Sequence, residues 1–173
     1  MKDFADKMTE RFTSIDILIN NASNLIKDLE YTPQAIEKTM SINCIGPAVL
    51  TDGLLKSLLR SNYARIINVY TEGYVMGTNY YSKDKNNNKD LDDHFLMKVS
   101  AKDYKRFYAY FKAKLNTFHV SRSLSDMVEQ KRYRNLKVVT VSPSTVDTNF
   151  ARFLPNWQKA VKFILDPIIW FLT

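Results

Sequence analysis

The chain has 173 residues, 45% of them hydrophobic and 13% aromatic, enough to enclose the core of one domain and too apolar for a disordered polymer. Its 25 basic and 18 acidic residues give a net charge of +7, a field that suits a phosphorylated cofactor or an anionic membrane; the basic runs Lys98–Lys114 and Lys131–Lys137 carry no nucleic-acid motif and read as solvated helix faces, so no nucleic-acid partner is expected. A single cysteine, Cys44, excludes an internal disulfide and fits a reducing compartment, and His94 and His119 lack the company a metal site needs, so no metal is expected.

In chain order, Phe4, Ala5, Met8 and Phe12 have helical spacing, and the alternation of charged with apolar residues in Met1–Met8 is unlike a signal peptide. Ile15–Ile19 is a nearly continuous apolar run closing on Asn20 and Asn21, the pattern of a parallel strand buried on both faces. Beyond Pro33 a long helical pattern runs from Gln34 to Arg60, with Cys44 as a small buried residue within it, and the strand Ala64–Val69 follows. Residues 80–93 are polar and low in complexity and read as an exposed insertion. A third helical region, Lys102–Gln130, leads to a third strand, Leu136–Val141. Residues 153–173 are apolar but broken by Lys159, Lys162, Asp166 and Pro167, leaving open a packing helix, a pocket flap or an interfacial anchor. No run approaches the ~18 apolar residues of a membrane span. Strands alternating with long helices predict an α/β domain: a parallel sheet with helices on both faces.

Polar residues gather at the carboxyl ends of the three strands: Asn20 and Asn21, then Tyr70 and Thr71, then Ser142 to Thr148. Ligands of open parallel sheets bind outside that edge. Tyr110 and Lys114 are one helical turn apart on one face, and an ammonium beside a phenol favours the phenolate needed for acid–base work. An overlapping pair, Tyr108 and Lys112, competes with it, but Ala113 leaves room for a flat ring beside Lys114, whereas Phe111 crowds Lys112.

Five segments, Ile15–Ala22, Asn43–Thr51, Arg65–Thr71, Tyr110–Lys114 and Val141–Thr148, together resemble the short-chain dehydrogenase/reductase family, most closely its retinol-dehydrogenase-like branch, over roughly residues 4–155. Lys114–Leu124 follows the family's pattern after its lysine, which also favours the second pair. The resemblance implies a partial Rossmann-like, doubly wound parallel sheet, a single domain over 1–173 lacking the first three strands, as in an N-terminally truncated member. It implies an NAD(P)-dependent oxidoreductase acting on a carbonyl or alcohol, retinoid, steroid or lipid-derived. In the roles it implies, Tyr110 transfers the proton and Lys114 lowers the tyrosine's pKa and holds the nicotinamide ribose. Thr71, where the family usually has serine, hydrogen-bonds the substrate oxygen, and Asn43 supports a water relay behind the lysine. Asn20, Asn21, Ala22, Pro143 and Thr148 face the cofactor, and Ser23 and Ser144 replace glycines of the family. Gly46, Gly53, Gly73 and Gly77 form no phosphate-binding loop, and nothing chooses between NAD and NADP. The alternative is a non-catalytic fragment that binds or forms a homodimer through its exposed first strand or through the long helices Gln34–Arg60 and Lys102–Gln130. The expected location is intracellular, cytoplasmic or membrane-associated, with residues 153–173 left as a peripheral membrane contact.

Overall fold

The computed structural model describes residues 1–71, 101–102 and 104–143. Within them β1 (Ile17–Asn20), β2 (Ala64–Val69) and β3 (Leu136–Val141) pair in parallel, in sheet order as in chain order. Ile19 stands opposite Ile67 and Ile67 opposite Val139; Asn20, Asn68 and Thr140 form the next row. Alternation along each strand therefore puts Leu18, Ala64, Ile66, Leu136 and Val138 on one face. That face is the core, where Ala64, Ile66 and Leu136 pack with Ala5, Leu54, Leu58 and Val128. On the other face Ile17 and Ile19 are 57% and 59% exposed. The expectation that the first strand is buried on both faces is corrected: only its alternate residues meet the core. The parallel sheet with packed helices is the α/β architecture that the sequence implies.

Helix α1 (Lys2–Arg11), with Asp3 in its first turn and Arg11 in its last, matches the helix dipole and buries Ala5. Between β1 and β2 runs a continuous helix made of α2 (Lys38–Met40), a π-helical turn (Ser41–Ile45) and α3 (Gly46–Leu59). It starts later than Gln34 because the Pro33–Ala35 segment turns tightly: Ala35 has φ 58° and its N–H donates to Thr32 O. Glu37 caps the helix, its carboxylate accepting the N–H groups of Thr39 at 2.8 Å and Met40 at 2.7 Å. Pro47 accounts for the local irregularity, since it has no N–H to give the Asn43 carbonyl four residues back. The Gly46 N–H reaches instead to Ser41 O, five residues back. A Cβ at Gly46 would lie 3.0 Å from that carbonyl, so glycine suits the position.

By length and composition Lys38–Leu59 could cross a membrane, which the absence of a long apolar run did not suggest. Its buried Met40, Cys44, Leu54 and Leu58 pack in the two core clusters, as a core helix does. After β2, helix α4 (Arg106–Gln130) crosses to β3, with Ala109 and Ala113 packed against Met40 and Cys44. Met1–Pro143 forms one compact unit; Ser144–Thr173, with the expected 153–173 segment, and the 80–93 insertion lie outside the described residues.

Candidate functional site

At the carboxyl edge of the sheet, the end of β2 meets the middle of α4. Lys114 is buried there, and its Nζ donates to the Val69 carbonyl at 2.9 Å. The same Nζ lies 5.8 Å from the centroid of the Tyr110 ring. Burial pushes the Lys114 ammonium down to about 8, with Cys44 opposing. Burial also pushes the Cys44 thiol up to about 11, which leaves it a protonated core residue at neutral pH.

Tyr110 is half-buried, and burial holds its phenol above the ordinary value while a hydrogen bond with Ser23 works the other way. The lysine's ammonium is engaged with the strand end.

Asn43 sits in the π-helical turn with every hydrogen-bonding position of its side chain used. Its Oδ1 accepts from Ser23 Oγ at 2.6 Å and from the Asn24 N–H at 2.9 Å. Its Nδ2 donates to Asn24 O and Thr39 O, each at 2.8 Å. The carbonyl that Pro47 leaves without its helical donor accepts from Thr117 Oγ1 at 2.9 Å. Asn43 thus clamps the loop after β1 onto the helix that follows it.

The other expected residues separate into an open rim and a buried floor. Asn21 and Ala22 are exposed in the loop after β1, and Pro143 is exposed just past β3. Thr71 follows Tyr70, whose N–H pairs with Val141 O at 3.0 Å, so it stands at the same edge. Thr148 lies outside the described residues. Asn20 points its amide down into the floor rather than out: Nδ2 donates to Asn68 Oδ1 at 2.7 Å and to Thr51 Oγ1 at 3.1 Å. Asn68 Nδ2 continues to Ser121 Oγ at 2.8 Å, and Ser121 Oγ to Thr117 O at 2.6 Å. Asn68, Thr117 and Ser121 drew no role from the sequence. The available signal was Asn68 itself, an amide inside an apolar strand.

A second polar cluster lies where α4 begins. Tyr104 OH donates to Glu37 Oε1 at 3.2 Å and lies 3.1 Å from Thr39 Oγ1. Burial pushes Tyr104 up to about 12, and pushes Lys112 down to about 8 against the attraction of Glu37. The lysine of the competing Tyr108/Lys112 pair therefore answers to Glu37, while Lys114 answers to the strand end. The reading of Lys98–Lys114 as a solvated face is corrected for both lysines, which are buried.

The profile of short chain dehydrogenases matches residues 1–83. The chain is 28% identical over 168 residues to the dehydrogenase/reductase SDR family member FEY of Arabidopsis thaliana, a match covering 96% of this chain and 41% of that protein. With retinol dehydrogenase 13 of Mus musculus it shares 26% identity over 173 residues, covering 99% of this chain and 47% of that one. The chain spans just under half the length of these curated relatives. Among solved structures, the Pseudomonas aeruginosa RhlG/NADP active-site complex superposes with a TM-score of 0.59 at 23% identity, covering 93% of this chain and 54% of that one. The last likeness is one of fold.

Proposed function

Because the chain belongs to the short-chain dehydrogenase/reductase family and is retinol-dehydrogenase-like within it, we propose that it carries the proton-transfer residues of an NAD(P)-dependent oxidoreductase. The substrate is a carbonyl or alcohol of retinoid, steroid or other lipid-derived kind. In the reductive direction Tyr110 gives its proton to the carbonyl oxygen, and in the oxidative direction it takes the proton back. Thr71 hydrogen-bonds the same oxygen. Lys114 turns from the Val69 carbonyl to hold the nicotinamide ribose, and its ammonium then adds to the stabilisation of the phenolate. Asn43 fixes the loop that follows β1 through Ser23 and Asn24.

Bound NAD or NADP would exchange the hydride with the substrate carbon. Asn21, Ala22, Lys114, Pro143 and Thr148 are the residues that would hold it, over the floor to which Asn20 belongs. A polar ligand at this edge fits one detail in particular. Ser142 Oγ, at the end of β3, is buried with no hydrogen-bond partner among the described residues, a cost that a ligand's polar group would remove.

The observation that carries the reading is Lys114, its Nζ 2.9 Å from the Val69 carbonyl and 5.8 Å from the Tyr110 ring, at the carboxyl ends of parallel strands. A second reading, a non-catalytic module that binds a partner or dimerises, draws on the apolar residues Ile17, Ile19, Val139 and Val141 exposed on the outer sheet face. Titration of the purified chain with NADPH and with NADH, followed by nicotinamide fluorescence, separates the two. Saturable binding of either is expected. A folded chain that binds neither overturns the oxidoreductase reading and leaves the second.

A further inference from the structure

We propose that the cleft between α3 and α4 binds a small neutral molecule, an apolar ring or short chain carrying one acceptor oxygen, apart from the Tyr110–Lys114 edge. The cleft is a cavity of about 110 Å3 open to solvent, and none of Tyr110, Lys114 and Thr71 lines it. Ala48, Thr51 and Leu55 recur at helical spacing on α3, and Val120, Leu124 and Met127 do so on α4, so each helix turns one stripe to the space between them. Nearer the start of α4 the small residues Ala109 and Ala113 let it approach Met40 and Cys44 closely. Beyond that contact the cleft opens.

Its inner end is polar. Asn68 from β2 and Ser121 from α4 close it, joined at 2.8 Å. Beside them Thr51 is buried to 5% exposure. Among the described residues Thr51 only receives a hydrogen bond, Asn20 Nδ2 donating to its Oγ1 at 3.1 Å. Thr117, on the opposite wall, gives its own hydroxyl hydrogen to the carbonyls of Asn43 and Ala113, each at 2.9 Å. Thr51 gives to no group among those described, so a buried donor faces the cavity unmet, a cost that an ether or carbonyl oxygen removes. Water serves the site poorly, because it needs about two to four polar partners and the walls are mostly apolar carbon. In size, an engineered cavity of about 150 Å3 takes benzene, so a six-membered ring enters this one with an edge left at the mouth. Asp52, exposed at the rim, turns away an anion.

The test titrates the full chain, labelled with 13C-methyl methionine, with two rings of nearly equal size, tetrahydropyran and cyclohexane. The Met127 resonance, at the cavity wall, is assigned by its loss in Met127→Leu. Both rings are expected to shift it saturably. Thr51→Val keeps the shape and removes the hydroxyl. It is expected to weaken tetrahydropyran about fivefold, the scale of one neutral hydrogen bond, and to leave cyclohexane bound as tightly or more so. Ala48→Leu fills the cleft and is expected to abolish both shifts. A Met127 resonance unmoved by either ring overturns the proposal, and so does a Thr51→Val chain that binds both rings as wild type does. Shifts retained in a folded Ala48→Leu chain overturn it independently of the threonine. A wild-type Met127 resonance that moves with protein concentration, as light scattering reports a dimer, also overturns it, because a second copy then covers the cleft. Neither ring carries a carbonyl or a hydroxyl, so the outcome stands whether or not the chain turns over a substrate.

Discussion

Two buried ammonium groups on one helix, Lys112 at 5% and Lys114 at 3% exposure, are an unusual load for a small core. Burial lowers each from 10.5 to about 8. Their folded-state values lie below the unfolded ones, so above pH 8 the unfolded chain binds more protons and stability rises with pH. The rise is opposed from about pH 9, where the unfolded Cys44 thiol starts to ionise while the folded one, raised to about 11, does not. The urea midpoint of the chain is therefore expected to increase between about pH 7.5 and about pH 9, and Lys112→Met to flatten part of that increase. A wild-type midpoint constant over the interval contradicts this account of the lysines. Tyr110 and Lys114 were legible because an i,i+4 pair shares a helix face whatever surrounds it. The burial of Lys112 was not, because a lysine in a basic run reads as solvated, and only the folded chain sets it near Glu37. Ser23 read as the loss of a glycine, and its hydrogen bond to Asn43 exists only once a residue 20 positions away is folded against it.

At the scale of elements, α1 rests on α3 with almost no clearance: a Cβ built on Gly53 would lie 2.6 Å from the Ala5 Cβ. Two effects of Gly53→Ala oppose each other. Helix propensity gains roughly 1 kcal/mol, whereas overpacking typically costs about 1–3 kcal/mol. The clash is between two short side chains, neither of which can swing aside, so the cost wins and the variant is expected to unfold at lower temperature than wild type. Adding Ala5→Gly should recover part of the loss; a Gly53→Ala chain more stable than wild type shows that α1 does not pack there. Ala64–Val69 and Leu136–Val141 were legible to the residue, since each is a run rich in β-branched residues. The helix expected from Gln34 was overextended because the turn at Ala35 is a local backbone choice that apolar periodicity does not register. The π-helical turn was hidden too, though Pro47 is its cause and stands in plain view.

For the molecule as a whole, alternating strands and helices announced a parallel sheet, and the sheet follows chain order. What the pattern left out was which strand face meets the core. A short apolar run reads as buried on both sides, but exposure depends on what packs beside it, and Ile17 and Ile19 remain open. The candidate site was legible as a set of strand-end and helix residues, whereas the polar floor of Asn20, Asn68 and Ser121 arises from pairing across strands and helix that sequence order conceals. The proposed function turns on Tyr110, rather than Tyr108, transferring the proton in an NAD(P)-dependent carbonyl reduction. The measurement that tests it is turnover of retinoid and aliphatic aldehydes by the purified chain with NADPH and NADH, comparing wild type, Tyr110→Phe and Tyr108→Phe. Expected are a turning-over wild type, a loss of about 100-fold or more in Tyr110→Phe with folding intact, and a much smaller change in Tyr108→Phe. A wild-type chain without turnover, or one whose rate survives Tyr110→Phe and fails with Tyr108→Phe, contradicts it.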